Sequence, residues 1–297
     1  TRIGSTNITV LLGNGRGART TDGNTFTACS GVSTTTWNDI EGNANKFIAV
    51  SSSGVVNSSN DGATWSDISG SVGSDTFTGV AAIGQTWIIV SDTGVVYRST
   101  DNGSSWTNAQ VEPYDGSTAI FKYAAAGNGL FIISDQYGQT WESVDDGANW
   151  QLAANVGLGV GGPKYIAQDL VFKNGKFLMP VQDSPLDDST SLNKIFVTNA
   201  NVAQSSTSAV TTWTESDTLP HTGPYKVTGM QGTFVGITAN GETAYSYDGI
   251  SWKQLTSTLS GTYGKIVEGR SAGNYFIPIK STAMSTADVL KLSLIHI

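Results

Sequence analysis

Cysteine is all but missing. Cys29 is the only one in 297 residues, so no disulfide can close within the chain and no paired-cysteine zinc site can be built. It is expected to pack as a small apolar residue. Histidine is nearly as scarce, and His221 and His296 stand too far apart for a metal cluster. Charged side chains are only 13% of the residues, and the 16 basic ones form no run or stripe. With a net charge of −8, the chain has no electrostatic pull on phosphate backbones, so nucleic acid is not an expected partner. No apolar stretch approaches the roughly 18 residues that suggest a bilayer span, so membrane insertion is not expected. No leader segment is visible, and the chain begins with Thr1 rather than Met, so its start is read as processed or incomplete.

What is abundant is glycine, 35 residues of it, set among serine, threonine and asparagine. Long helices want alanine, leucine, glutamate and lysine. Short strands joined by polar turns suit this composition better.

The chain repeats itself. Ser99-Thr100-Asp101-Asn102-Gly103-Ser104-Ser105-Trp106 matches Ser143-Val144-Asp145-Asp146-Gly147-Ala148-Asn149-Trp150 position by position. Ser58 to Trp65 reads as the same octet with Asn60 in the aspartate place, and Ser246 to Trp252, around Asp248, is shorter by one residue. Thr20 to Phe26, around Asp22, is a weaker copy. Each copy is a turn. The hydroxyl and carboxylate bond nearby amides, glycine takes a backbone conformation closed to other residues, and the aromatic buries area. The closing aromatics Phe26, Trp65, Trp106, Trp150, Trp213 and Trp252 are spaced 39, 41, 44, 63 and 39 residues apart. A period near 40 fits one blade of four short strands.

These motifs resemble the Asp-box of the BNR, sialidase-like superfamily of repeat propellers over nearly the whole chain. The resemblance implies an all-β fold, a β-propeller of seven four-stranded blades, with six as the alternative. A single domain over 1–297 is expected, with blade units at roughly 1–30, 31–70, 71–109, 110–154, 155–216, 217–256 and 257–297. Second strands are expected at apolar runs such as Phe47 to Val50, Trp87 to Val90 and Phe131 to Ile133. The first unit lacks an inner strand. The last six residues, Leu292 to Ile297, resemble translated sequencing-library sequence, the alternative being an apolar strand that completes the last blade. In the superfamily these turns lie away from the catalytic centre, so Asp22, Asn60, Asp101, Asp145, Asp248, Trp65, Trp106, Trp150 and Trp252 are expected to be structural.

No catalytic set stands out. The sialidase pattern requires three arginines for the substrate carboxylate. Only Arg2, Arg16, Arg19, Arg98 and Arg270 exist here, and Gly4 replaces the proline expected after Arg2-Ile3. Glycosidases need two facing carboxylates. Asp92, Asp135 and Asp183 appear at equivalent positions after successive second strands, though their neighbours are also good turn sequences. The glycine clusters at 13–17 and 157–162 precede strand-like segments, not helices, so they read as turns rather than phosphate cradles.

Loops facing away from the repeated turns carry Tyr114, Asp135, Tyr137, Asp183, His221 and Tyr225. Aromatics beside carboxylates suit a sugar face or a protein surface. The expected function is therefore a non-enzymatic, extracellular or virion-associated binding propeller, with a phage structural or receptor-binding protein in a larger assembly as the specific case. It would take a glycan or protein, with no cofactor and no metal. The alternative is a divergent glycoside hydrolase using the loop carboxylates.

Overall fold

The computed structural model describes residues 2–3, 6–23, 25–111, 119–155, 158–159, 162–163, 165–183, 193–198, 212–221, 223, 225–255, 259–270 and 274–280. They form antiparallel meanders. The first sheet holds Thr9–Gly13, Arg16–Thr20 and Thr27–Ala28. The second runs Trp37–Gly42, Phe47–Ser51, Val56–Ser59 and Ser66–Asp67, and the third Phe77–Ile83, Thr86–Ser91, Val95–Ser99 and Thr107–Gln110. Phe121–Gly127, Leu130–Asp135, Gln139–Ser143 and Gln151–Asn155 make the fourth. The fifth has Tyr165–Ala167, Lys176–Asp183, Lys194–Thr198 and Trp213–Glu215, with Val171–Lys173 also pairing the second of these. Tyr225–Met230, Thr233–Thr238, Thr243–Ser246 and Lys253–Gln254 complete the sixth.

The blades number six, not the expected seven. The unit assigned to 257–297 supplies only a two-stranded hairpin among the described residues, Tyr263–Arg270 with Asn274–Lys280. Two strands expose as many edges as they satisfy, so they do not make a blade of their own.

The chain divides into two compact units. One comprises 1–133, 143–151 and 269–273; the other comprises 134–142, 152–268 and 274–297. In the first, Ile48, Val50, Phe77, Val80, Trp87, Ile89 and Tyr97 form one core cluster, and Ile8, Val10, Phe47, Ala49 and Trp65 another. In the second, Leu178, Ile195, Val197, Tyr225, Phe234 and Trp252 pack together. Second strands such as Phe47–Ser51 and Thr86–Ser91 are buried at every residue. They are covered on both faces, which is why they read as continuous apolar runs. The outer strand Thr107–Gln110 is exposed throughout and correspondingly polar.

A second repeat frames the blades. Apart from the first sheet, which opens at Thr9, their first strands begin at an aromatic: Trp37, Phe77, Phe121, Tyr165 and Tyr225, with Tyr263 opening the final hairpin. Where the register is resolved, that aromatic faces the last residue of the second strand, as in Trp37 with Ser51, Phe77 with Ser91, Tyr165 with Asp183 and Tyr225 with Thr238. Cys29 is half-buried, its thiol donating to the Gly62 carbonyl at 3.2 Å. Burial pushes that thiol above its ordinary pKa, which keeps it from forming a reactive thiolate.

Candidate functional site

The repeated turns come first, because they consume most of the carboxylates that chemistry would need. At the end of the third strand of the third sheet, the Ser99 hydroxyl donates to Asp101 Oδ1 at 2.7 Å and accepts the Gly103 amide at 2.8 Å. Asp101 Oδ1 also accepts the amides of Ser104 and Ser105 at 3.0 and 2.9 Å. The same pattern surrounds Asp22, Asp145 and Asp248. In the second sheet the acceptor is Asp61, not Asn60. Ser59 donates to Asp61 at 3.0 Å, and Ala63 and Thr64 each give it an amide at 2.8 Å. That copy is a Ser-x-Asp-Gly turn beginning at Ser59, one residue later than the octet beginning at Ser58.

The turns around Gly62, Gly103, Gly147 and Gly249 also latch onto the sheet before them. A Cβ on Gly147 would lie 2.4 Å from Ile88 Cδ1, and Gly147 has φ +79°, so only glycine fits there without strain. Cations complete the latch. Arg19 donates to the Asp61 carbonyl at 2.7 Å, Arg98 to that of Asp146 at 2.7 Å, and Lys176 to that of Asp248 at 2.8 Å. Arg19 and Arg98 are therefore spent on holding blades together. The sequence showed them beside a turn of their own blade, but their bonds are to the next one.

These carboxylates are held ionised. The Ser105 hydroxyl and amide, with Ser99, keep Asp101 far below the usual carboxylate range, and the Thr64 amide leads the same effect at Asp61. At Asp145 and Asp248 burial works in the opposite direction, but the donors outweigh it and the net shift is downward. A carboxylate whose folded pKa lies below its unfolded one adds stability above the unfolded value, and loses it as pH falls through the folded value. Replacing Asp61, Asp101, Asp145 and Asp248 by asparagine preserves an acceptor oxygen and removes the titration. The fourfold variant is expected to lose less stability than the wild type between neutrality and about pH 3, below the ordinary aspartate pKa of about 3.9. Urea midpoints at the two pH values provide the check; equal acid losses in both proteins would refute it.

The turn between second and third strands carries the loop residues. Asp135 is buried, and its Oδ1 accepts the Tyr137 amide at 2.8 Å and the Gln139 amide at 2.9 Å. Ser91 holds the equivalent place in the third sheet, accepting the Val95 amide at 3.1 Å. Asp92 is thus one position out of register with Asp135, contrary to the spacing read from the sequence. Asp183 closes its second strand opposite Tyr165. Tyr137 stands out from its turn, 39% exposed, while the Gln136 carbonyl accepts the Ala167 amide at 3.0 Å.

Two expected loop residues are buried rather than exposed. Tyr225 is not a surface aromatic. It opens the first strand of the sixth sheet, is 1% exposed, and packs tilted against Trp252 at 6.4 Å between ring centroids. Burial raises its hydroxyl pKa, with the Glu242 charge adding to the rise against a lowering from the His221 backbone. The His221 side chain is 8% exposed, with Nδ1 3.6 Å from Glu242 Oε1 and Nε2 3.3 Å from the Thr243 carbonyl. Glu242 also accepts from the Thr238 hydroxyl at 3.2 Å. The structure thus gathers His221, Tyr225 and Glu242, whereas sequence reasoning found only the first two and placed both on the loop surface. Tyr114 lies outside the described residues. Among the described residues, no group of three or more His, Cys, Asp or Glu side chains is arranged to hold a metal, and no helix is long and apolar enough to cross a membrane.

No family model matches the chain, and no curated protein matches it. Solved structures do. An ancestral GH74 enzyme aligns with 93% of this chain and 44% of its own length, at 10% identity and a TM-score of 0.62. The computationally designed Ika8 protein covers 97% and 89% at 11% identity and a TM-score of 0.54. YCF48 from Cyanidioschyzon merolae covers 82% and 92% at 15% identity and a TM-score of 0.46. At such identities the likeness is one of fold, and the fold it joins to the blade-by-blade topology is an all-β β-propeller of six blades.

Proposed function

We propose that this chain is a non-enzymatic binding propeller, extracellular or virion-associated, that takes a protein or glycan surface on the turns joining second and third strands. The observation that carries the reading is the Tyr137 turn. An exposed aromatic ring sits on a backbone pinned by the buried Asp135 carboxylate and by the bond between Gln136 and Ala167. A rigidly mounted tyrosine offers amphipathic area with little ordering cost, which suits recognition. Asp135 is the wrong group for a free catalytic acid, since its carboxylate is engaged in building the turn. Asp183 belongs to the same proposed contact set, and Tyr114 is proposed as a binding residue in its own right. His221 and Tyr225 support the sixth blade from within.

Glycan-array binding and pull-down with the immobilised chain test this reading. Tyr137→Ala is expected to reduce the signal at least about tenfold while leaving stability within about 0.5 kcal/mol, as for an exposed side chain away from special contacts. The opposite result is turnover of a fluorogenic glycoside by the wild type that disappears in Asp135→Asn. That outcome would replace the binding reading with a glycoside hydrolase.

A further inference from the structure

Asparagine followed by glycine is the dipeptide most open to attack by its own backbone, because glycine places no side chain in the way. The chain carries five such pairs, at Asn14, Asn102, Asn128, Asn174 and Asn240. The reaction needs two freedoms. The asparagine side-chain carbonyl carbon must approach the following amide nitrogen, and that nitrogen must be free to lose its proton.

The fold removes one or both freedoms at four of the five. After Asn14, the Gly15 amide donates to the Ser33 carbonyl at 3.2 Å; after Asn240, the Gly241 amide donates to the Thr238 carbonyl at 3.0 Å. Asn102 Oδ1 accepts from Trp87 Nε1 at 3.1 Å and from Asn43 Nδ2 at 2.7 Å, and the Gly103 amide is bound to the Ser99 hydroxyl at 2.8 Å. Asn174 donates to the Thr233 carbonyl at 3.2 Å and accepts the Gly232 amide at 3.1 Å. Asn128 differs. It is exposed, and among the described residues neither its side chain nor the Gly129 amide has a hydrogen-bond partner. Backbone conformation does not explain the difference, since Asn102, Asn128 and Asn174 share positive φ angles of 59°, 52° and 51°. Among the described residues, the Asp-Gly pairs are held too, through the bonded carboxylates of Asp22, Asp61 and Asp248 and the Gly147 amide on Ser143.

We propose that Asn128 is a site of spontaneous backbone modification in the folded protein, converting through a succinimide to aspartate and isoaspartate ahead of the other four Asn-Gly pairs. The Gly129 nitrogen bonds to Asn128 Cγ, the side-chain amino group leaves as ammonia with the Gly129 amide proton, and water opens the ring at either carbonyl. No oxidant or cofactor enters. The products put a negative charge, and in the isoaspartyl form an extra backbone methylene, into the two-residue turn between Phe121–Gly127 and Leu130–Asp135. A two-residue turn sets the register of its hairpin, so that methylene disturbs the pairing of the fourth sheet.

The test is peptide mapping of the full chain aged in mildly alkaline buffer, with isoaspartyl carboxyl methylation as a second readout. Conversion at Asn128 is expected to run at least about fivefold faster than at Asn14, Asn102, Asn174 or Asn240, since each of those must first open a hydrogen bond. In urea sufficient to unfold the chain, the five rates should converge. Asn128→Gln should abolish most isoaspartyl methylation of the aged folded protein. Faster or equal conversion at Asn102 or Asn174 in the folded chain would overturn the proposal. So would an Asn128 preference that persists unchanged in urea, because local sequence rather than the fold would then set the rate.

Discussion

Trp87→Ala is expected to lower the unfolding free energy by about 3–5 kcal/mol, the range for truncating a large buried aromatic. Trp87 lies on the second strand Thr86–Ser91, has no exposed surface, and packs within the cluster of Ile48, Phe77, Val80 and Tyr97. Its indole nitrogen also donates to Asn102 Oδ1 at 3.1 Å, tying the strand to the turn that ends the third strand of the same sheet. Trp87→Phe separates the two contributions. It keeps most of the apolar area and gives up the hydrogen bond, so its cost should be nearer 1–2 kcal/mol, roughly that of one bond with some repacking. Denaturant midpoints at constant m-value measure both. A loss below about 1 kcal/mol for Trp87→Ala would show that the blade collapses around the gap, which close packing does not allow.

That expectation shifts the weight the sequence placed on tryptophan. Trp106 and Trp150 close the most regular octets, yet both are only half-buried. Trp87 and Trp141, which sit in no octet, are fully buried. A turn depends on local bonds that recur in sequence, which is why the repeat is visible there. Depth depends on what the neighbouring blade places over a residue, and no local pattern records that. The second strands were legible for a simple reason: burial on both faces leaves a continuous apolar run.

Two features depart from the sequence pattern for equally specific reasons. The sequence puts Asn60 in the carboxylate place because Ser58 and Ser59 both offer a start, and counting from Ser58 preserves the eight-residue length of its neighbours. The bonds show a seven-residue turn from Ser59, with Asp61 directly before Gly62, as Asp248 precedes Gly249. Tyr225 falls at the end of the polar stretch from Asp217 between two blade units, which makes it look like a loop aromatic in the sequence. The aromatic that opens the first strands after the first sheet recurs at Trp37, Phe77, Phe121, Tyr165, Tyr225 and Tyr263, and this second period was the signal that would have placed it. The expected seventh unit contributes two paired strands, Tyr263–Arg270 and Asn274–Lys280, among the described residues. Repeat period reveals how many units a chain attempts, while a blade also needs enough paired strands to satisfy its edges.

Gly31→Ala is the other large effect, and it tests how rigidly the first two sheets are joined. Ser30 and Thr64 form an isolated parallel bridge, with the Ser30 amide on the Ala63 carbonyl at 2.8 Å and the Trp65 amide on the Ser30 carbonyl at 2.9 Å. Gly31 follows at φ +73°, and a Cβ built on it would lie 2.1 Å from the Trp65 carbonyl oxygen. Both sides of that contact are backbone, and the two bridge bonds hold them in place. Relief therefore requires breaking the bridge or moving Trp65, which is buried against Phe47. The left-handed conformation costs alanine about 1–2 kcal/mol, and forced overpacking typically adds 1–3, so a loss of about 3 kcal/mol or more is expected. Gly84→Ala supplies the control. Gly84 has φ +58° but nothing within 4 Å of the new methyl, so only the conformational part, about 1–2 kcal/mol, should appear. Equal losses for the two variants would mean that the contact at Trp65 relaxes freely and that the bridge between the sheets is soft. A difference of about 2 kcal/mol would locate the rigidity in the backbone seam itself, which side-chain packing alone cannot supply.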